Sequence, residues 1–297
     1  MKEVKNIYNR IKHIAIPLFG KLVDKYGNKF SSLRDSLRRA DIKILFRTYM
    51  SIIVLLSVLM GAFVLIGMLF VSMILKLDLV LSISGMIIIP LLTAFLTFIF
   101  LYSWPSAIAN SRKRDIEANL PFALVQMASI AESGASPRAL FKILSHFKEY
   151  GEVSREASKI IKSIEIFGLD EMTAIKNVIN KSPSQQFKQI LQGMITTIHT
   201  GGSLSSYLRK ESEKSLFEYR LSRQKYLQVI STLADLYTAL LIAAPLLLIA
   251  VLAIIAIVGG QVFGMSVQAV LQIGIFIAIP LLNIMFISFL HAIQPKT

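Results

Sequence analysis

Four long stretches of this chain contain no Asp, Glu, Lys or Arg: Thr48–Leu75, Leu79–Ile108, Leu236–Gly264 and Met265–Pro295. About 20 consecutive apolar residues are enough to cross the hydrocarbon core of a bilayer as a helix. Four such runs in a soluble protein would need a polar shell that 297 residues cannot supply. Charged residues make up only 17% of the chain and mean hydropathy is +0.62, so charge is segregated rather than spread. A chain that segregates charge in this way meets two solvents, water and lipid.

The first two runs are separated only by Lys76-Leu77-Asp78, and the second two by a turn around Gly259-Gly260-Gln261 and Gly264. Each pair therefore reads as a helical hairpin. Residues 1–47 hold 12 Lys and Arg against 4 Asp and Glu, and residues 105–234 hold 18 against 12. Positive charge concentrates on the cytoplasmic side of membrane proteins. The N-terminus, the central segment and the short C-terminus are thus expected in the cytoplasm, with only the two turns outside. Arg112-Lys113-Arg114 after the second run reads as a stop-transfer anchor, as do Arg38, Arg39, Lys43 and Arg47 before the first. Much of the net charge of +14 is this bias plus attraction to anionic lipids, which are expected partners. No recognition motif accompanies the charge, so nucleic acid is not. The first apolar run starts late and has no small-residue cleavage site, so no removable signal peptide is expected. Absence of cysteine excludes disulfides, thiolate metal sites and thiol nucleophiles.

The expected division is a basic leader over 1–47, hairpin 1 over 48–108, a cytoplasmic helical domain over 109–234, and hairpin 2 with the C-terminus over 235–297. The leader reads as loose before Phe30 and helical after it, lying on the membrane surface or on the central domain. In the central segment, Ser136-Pro137 and Ser182-Pro183 each place a capping hydroxyl before a proline at a first helical position. Gln185 follows Ser182 as in a capping box. Gly134, Gly151, Gly168 and Gly201-Gly202 fall where helices should stop. Helices are predicted near 112–133, 136–149, 152–167, 170–181, 183–200 and 203–234, and no segment alternates as a strand does. The fold class is an all-α integral membrane protein with four spans in two hairpins and a cytoplasmic helical bundle.

An internal repeat is also expected. A shift of 67 residues places Leu124 on Leu191, Met127 on Met194, Gly134 on Gly201 and Ser136 on Ser203. Both copies read as a long helix, a glycine stop, a serine cap and a second helix, a turn tight enough to force antiparallel pairing. A fainter echo links Ile89-Pro90-Leu91-Leu92 with Ile279-Pro280-Leu281-Leu282.

The stretch from Leu120-Pro121-Phe122 through Met127, Gly134-Ala135-Ser136 and Ala139-Leu140 resembles the F-domain of type II secretion and type IV pilus platform proteins. Gly168-Leu169-Asp170, Ser182-Pro183-Ser184, Gly201-Gly202-Ser203-Leu204 and Tyr207-Leu208 continue it in order. The likeness is to the TadC-like and archaellar FlaJ-like branch, where a glutamate-bearing turn such as Glu152-Val153-Ser154-Arg155-Glu156 also appears. It covers roughly 105–290. The resemblance implies a platform in the cytoplasmic membrane that couples a hexameric secretion ATPase to pilin-like subunits of a pilus, archaellum or pseudopilus. Larger members carry two such domains. This chain carries one, so a homodimer or a related platform half is the implied partner.

No catalytic constellation is visible, and neither an enzyme nor a cofactor is expected. His13, His146, His199 and His291 are scattered without ligand spacing, and no phosphate-binding glycine-lysine loop occurs. The rival readings are an oligomeric transporter or channel subunit and a membrane signalling protein. The spans hold no ionisable group of the kind that marks a coupled pathway, and the outer turns are too short for a ligand domain. Candidate ATPase-docking residues are the basic side chains near the repeated turns: Arg138, Lys142, Arg209 and Lys210. Gly134, Ser136, Gly201, Gly202 and Ser203 are expected to build the turns themselves.

Overall fold

A computed structural model describes residue 17 and residues 30–75, 79–262 and 264–293. Among these the protein is helical almost throughout, and four helices are long and apolar enough to cross a membrane. The chain forms two compact units, with the boundary between Leu216 and Phe217.

The first unit opens with α1 (Ser31–Arg39), which buries Leu33 and Leu37. They pack with Met50 and Ile53 of α2 (Phe46–Leu75) and with Phe98, Leu101 and Tyr102 of α3 (Leu79–Glu132). The Ser32 and Tyr102 hydroxyls hydrogen-bond at 2.8 Å. The leader helix thus seats on the base of the first hairpin. Its apolar stripe finds aromatic partners there. Helix α1 stops at Asp41, whose φ of 57° is left-handed, a conformation that Asp tolerates better than most residues. The part of the leader before Phe30 lies outside the described residues except for position 17.

Helices α2 and α3 run antiparallel, with the Tyr49 hydroxyl donating to the Leu101 carbonyl at 3.0 Å. Gly61 lets them approach: a Cβ there would lie 3.1 Å from that of Ala94 and 3.2 Å from the Pro90 carbonyl oxygen. The span and the first bundle helix, expected as separate elements, are one helix of 54 residues with Pro90, Pro105 and Pro121 inside it. The carbonyl that Pro105 frees, that of Leu101, is the one that accepts from the Tyr49 hydroxyl. Proline is tolerated in a helix where such contacts re-satisfy the backbone.

The last turns of α3 enter a bundle with α4 (Pro137–Leu144), α5 (Glu152–Glu165), α6 (Glu171–Ile179), α7 (Gln185–His199) and the start of α8 (Leu204–Tyr237). Leu120, Leu124 and Met127 on α3 share a core with Leu140, Phe141, Ile160, Ile175, Phe187, Leu191 and Met194, all nearly or wholly inaccessible. Their three- and four-residue spacing gives each helix one apolar face.

Caps close the helix ends. Ser136 accepts from the Ala139 N–H with Pro137 at the first position, and Ser203 accepts from that of Ser206 at 3.2 Å. Asp170 accepts from the Thr173 N–H, and these bonds hold its carboxyl below the ordinary value. The predicted cap at Ser182 is displaced. Ser184 caps α7 by accepting from the Phe187 N–H, and its hydroxyl reaches Glu117 on α3 at 3.1 Å. Ser182 is instead buried, with no partner for its hydroxyl among the described residues. The shift follows from Glu117, which can hold a hydroxyl at 184. Helix α4 also ends earlier than predicted, and a 3-10 turn at Lys148–Tyr150 follows.

The positions paired by the 67-residue shift have similar surroundings. Leu124, Leu191, Met127 and Met194 are all fully buried, and Gly134 and Gly201 have φ of +78° and +69°. Sequence reasoning missed Gly193, whose face is covered by the Tyr207 ring, with the Tyr207 hydroxyl donating to the Ile190 carbonyl at 3.1 Å. This contact locks α7 against α8.

The second unit contains the rest of α8, a π-helical turn at Thr238–Ala243, α9 (Ala244–Val258), α10 (Val267–Ile273), a second π-helical turn at Gly274–Ala278, and α11 (Ile279–Ile293). Each wide turn precedes a proline, Pro245 or Pro280, whose ring would crowd the carbonyl four residues back in a regular helix. Pro90 needs no such turn, so the two proline echoes differ in local structure. Strands β1 (Gln261–Val262) and β2 (Met265–Ser266) pair in the connecting turn, outside the central segment in which no strand is expected. Gly259 and Gly264, with φ of +78° and +74°, reverse the chain within a space that admits no helical turn. The Tyr237 hydroxyl meets Asn283 Oδ1 at 3.3 Å, and its ring packs on Phe286.

Gly134 and Gly201 face open space, so conformation alone selects glycine there, whereas Gly193 is selected by volume. Gly134→Ala should therefore cost about 1–2 kcal/mol in chemical unfolding of the detergent-solubilised protein, and Gly134→Asn less. Gly193→Val should cost about 1–3 kcal/mol by overpacking, and Tyr207→Ala should restore part of that loss.

Candidate functional site

Two groups of charged side chains organise the first unit. The predicted docking residues gather at one end of the bundle. Arg138 and Lys142, one turn apart on α4, share Glu165 at 3.7 and 3.0 Å. The Lys142 hydrogen bond, with the charges of Lys142 and Arg138, holds the Glu165 carboxyl below its ordinary value. Arg209 reaches Glu132 at 3.7 Å and Glu213 at 3.3 Å, which sets α8 beside the end of α3, close to the Gly134 turn. Lys210 is exposed. All four side chains face water, and three are already paired with carboxylates.

The second group was not foreseen. Arg112, expected to be an anchor at the headgroups, is buried with its side chain 8% exposed. Its Nε donates to Glu152 Oε2 at 2.7 Å, its Nη1 to the Arg39 carbonyl at 2.5 Å, and its Nη2 to Glu156 Oε1. Glu156 is 1% exposed. Lys159 bridges Glu156 at 2.9 Å and Asp41 at 2.7 Å. Asp115 accepts from the Glu152 N–H at 2.5 Å and so caps α5, where Gly151 leaves no side chain to do so. The glutamate-bearing segment is thus the first turn of a helix, and Glu152 and Glu156 project from one face of it, four residues apart. Lys113 and Arg114, the rest of the basic run, stay exposed.

This cluster joins three elements: the end of α1 with the link after it (Arg39, Asp41), the long helix α3 (Arg112, Asp115) and α5 (Glu152, Glu156, Lys159). Partial burial alone would raise the Asp41 carboxyl. The Lys159 hydrogen bond, with the charges of Lys159, Arg112 and Lys43, outweighs it and holds Asp41 below 3.8. Taking these charges out of water is costly, and each is retained only because its partners are in place. The arrangement binds elements together and carries no nucleophile beside a base. Among the described residues, no group of three or more His, Cys, Asp and Glu side chains is placed to hold a metal ion.

With this geometry in view, residues 123–252 match the family model of type II secretion system protein F. This stretch is similar to that protein and is termed the F domain. Its bundle helices α4–α7 and the ends of its two apolar neighbours supply most of the core described above, which extends to Leu120 before the match. The chain is also similar to an uncharacterized protein of Methanocaldococcus jannaschii, 21% identical over 196 residues, or 65% of this chain and 33% of that one. Flagella accessory protein J of the same organism is 23% identical over 158 residues, 52% of this chain and 28% of its own length. Flagella accessory protein J of Methanococcus voltae is 23% identical over 137 residues, 46% of this chain and 25% of its own. The matched stretches span a third or less of these relatives. No solved structure matches the chain. Arg112 and Asp41 lie before the F domain, and Glu152, Glu156 and Lys159 lie within it, so the cluster ties the domain to the segment that precedes it.

Removing one member of a buried ion pair strands the other. Arg112→Met should cost about 3–5 kcal/mol in chemical unfolding, and adding Glu156→Leu should recover part of it. Asp41 has a folded pKa below its unfolded value, so its contribution is complete above pH 3.8 and declines as pH falls through the lower folded value. Asp41→Asn should remove that acid-side loss from the pH profile of thermal unfolding.

Proposed function

We propose that this multi-pass membrane protein is a platform subunit of a type IV pilus-like or archaellum-like machine in the cytoplasmic membrane. On this reading the F domain and both termini face the cytoplasm, with functional boundaries at 1–47, 48–108, 109–234 and 235–297. A hexameric secretion ATPase engages the bundle, pilin-like subunits meet the hairpins, and a second copy or a related platform half completes the assembly. Similarity between the repeated turns is taken as an internal duplication.

The observation that carries this reading is the F domain joined through a buried ionic cluster to the helices of the first hairpin. A coupling protein needs force applied to its water-facing part to reach its membrane part without being lost in a loose linker. Arg112, Glu152, Glu156, Lys159 and Asp41 provide that connection through charge pairs that cost several kcal/mol to separate. The end of the bundle bearing Arg138, Lys142, Arg209 and Lys210 is the proposed ATPase contact. Its cations are held in defined positions by Glu165 and Glu132, which suits an acidic partner surface.

Arg138→Glu combined with Arg209→Glu should abolish filament assembly while membrane insertion and protein level remain normal. Arg138→Ala alone should be mild, since Lys142 keeps its contact with Glu165. Filaments of normal number in the double reversal, counted by electron microscopy, would remove these residues from the docking surface.

A further inference from the structure

A cleft of about 270 Å³ opens between α1, α3 and α7. Arg39 comes from α1, Ser106, Asn110 and Lys113 from α3, and Gln185 and Lys188 from the first turn of α7. Three cations from three helices therefore converge with two hydroxyls, of Ser36 on α1 and Ser106, and two amides, and no carboxylate lines the cleft. Lys113 has Glu117 at 4.0 Å along its own helix. No described carboxylate pairs with Arg39 or Lys188, nor with Arg38 nearby. Burial, and then the charges of Arg39 and Arg38, push the Lys188 ammonium below its ordinary value. Like charges held this close repel unless an anion lies between them.

The site contrasts with four other cations of the unit. Arg112, Lys142, Lys159 and Arg209 each have an acidic partner within 4 Å. Here Arg39 and Lys188 have no such partner among the described residues, and Lys113 has only Glu117 at 4.0 Å. Depth points the same way. Trp104, half exposed on α3, closes the apolar run in the way of an interfacial anchor. Ser106 and Asn110 follow it by about 3 and 9 Å along the helix axis, the depth of lipid headgroups in a bilayer of about 40–45 Å. The N-terminus of α7 adds a dipole of the same sign as the cations.

We propose that this cleft binds a phosphate group, supplied either by the headgroup of an anionic phospholipid or as free phosphate. Arg39, Lys113 and Lys188 neutralise its charge, and Ser106, Asn110 and Gln185 donate to its oxygens. The membrane layout and the cleft suffice for this binding, whether or not the protein is a platform.

The test uses the full chain in a non-ionic detergent at constant ionic strength, with melting temperature followed against three probes. These are short-chain phosphatidylglycerol, short-chain phosphatidylcholine and inorganic phosphate. A ligand that binds the folded state raises the melting temperature saturably. A saturable rise is expected with phosphatidylglycerol, a weaker one with phosphatidylcholine. Arg39→Gln with Lys188→Gln should weaken the apparent affinity by about tenfold or more, and Arg138→Gln with Lys142→Gln should leave it unchanged. A response to the lipid alone assigns the site to the headgroup, and an equal or stronger response to inorganic phosphate assigns it to free phosphate. Should the charge variant fail to fold, Ser106→Phe fills the cleft from an exposed position and should abolish the response. No saturable response to any probe, or a response that survives these substitutions, overturns the proposal.

Discussion

A guanidinium with almost no access to water is the constraint on which the first unit depends. Arg112 has three fixed acceptors from two distant parts of the chain: Glu152 and Glu156 on α5, and the Arg39 carbonyl at the end of α1. None of these could move without stranding a buried charge, at a cost of several kcal/mol. The leader, the long helix and the F domain are therefore held in register by electrostatics, where apolar packing alone would tolerate sliding. The Asp41 backbone fits the same logic. A left-handed aspartate is unfavourable by itself, yet it delivers a carboxylate to Lys159 at 2.7 Å.

How much of this is legible in the residues alone depends on the range of the interaction. Gly134 and Ser136 are legible because a left-handed stop and a hydroxyl cap are decided within a few residues. The four spans are legible because a charge-free run of such length suits lipid and little else. The α7 cap falls two residues from its predicted place because Ser184 depends on Glu117, far away in sequence. Arg112 reads as an anchor because a basic run after an apolar span usually meets headgroups. Its partners lie on another helix, and the only local sign is the four-residue spacing of Glu152 and Glu156. Gly193 leaves no local sign at all, since its role is set by the Tyr207 ring across the turn.

The docking candidates and the cleft illustrate two states of surface cations. Arg138, Lys142 and Arg209 are oriented by neighbouring carboxylates, so their charge is presented in fixed places but partly neutralised. Arg39 and Lys188 have no such neighbours among the described residues, so their field extends undiminished into the cleft. The first arrangement suits recognition of a large surface, where position matters more than strength. The second suits a small, strongly charged group.

Helix α3 spans 54 residues without a break, a rod of about 80 Å at 1.5 Å per residue. Pivoted near its bundle end, such a rod turns each degree of tilt into about 1.4 Å of travel at the far tip. Its compliance is concentrated at Pro90, Pro105 and Pro121, where a backbone hydrogen bond is missing. Stiffness between those points and softness at them make the helix a jointed rod, with the places where it bends set by the spacing of its prolines.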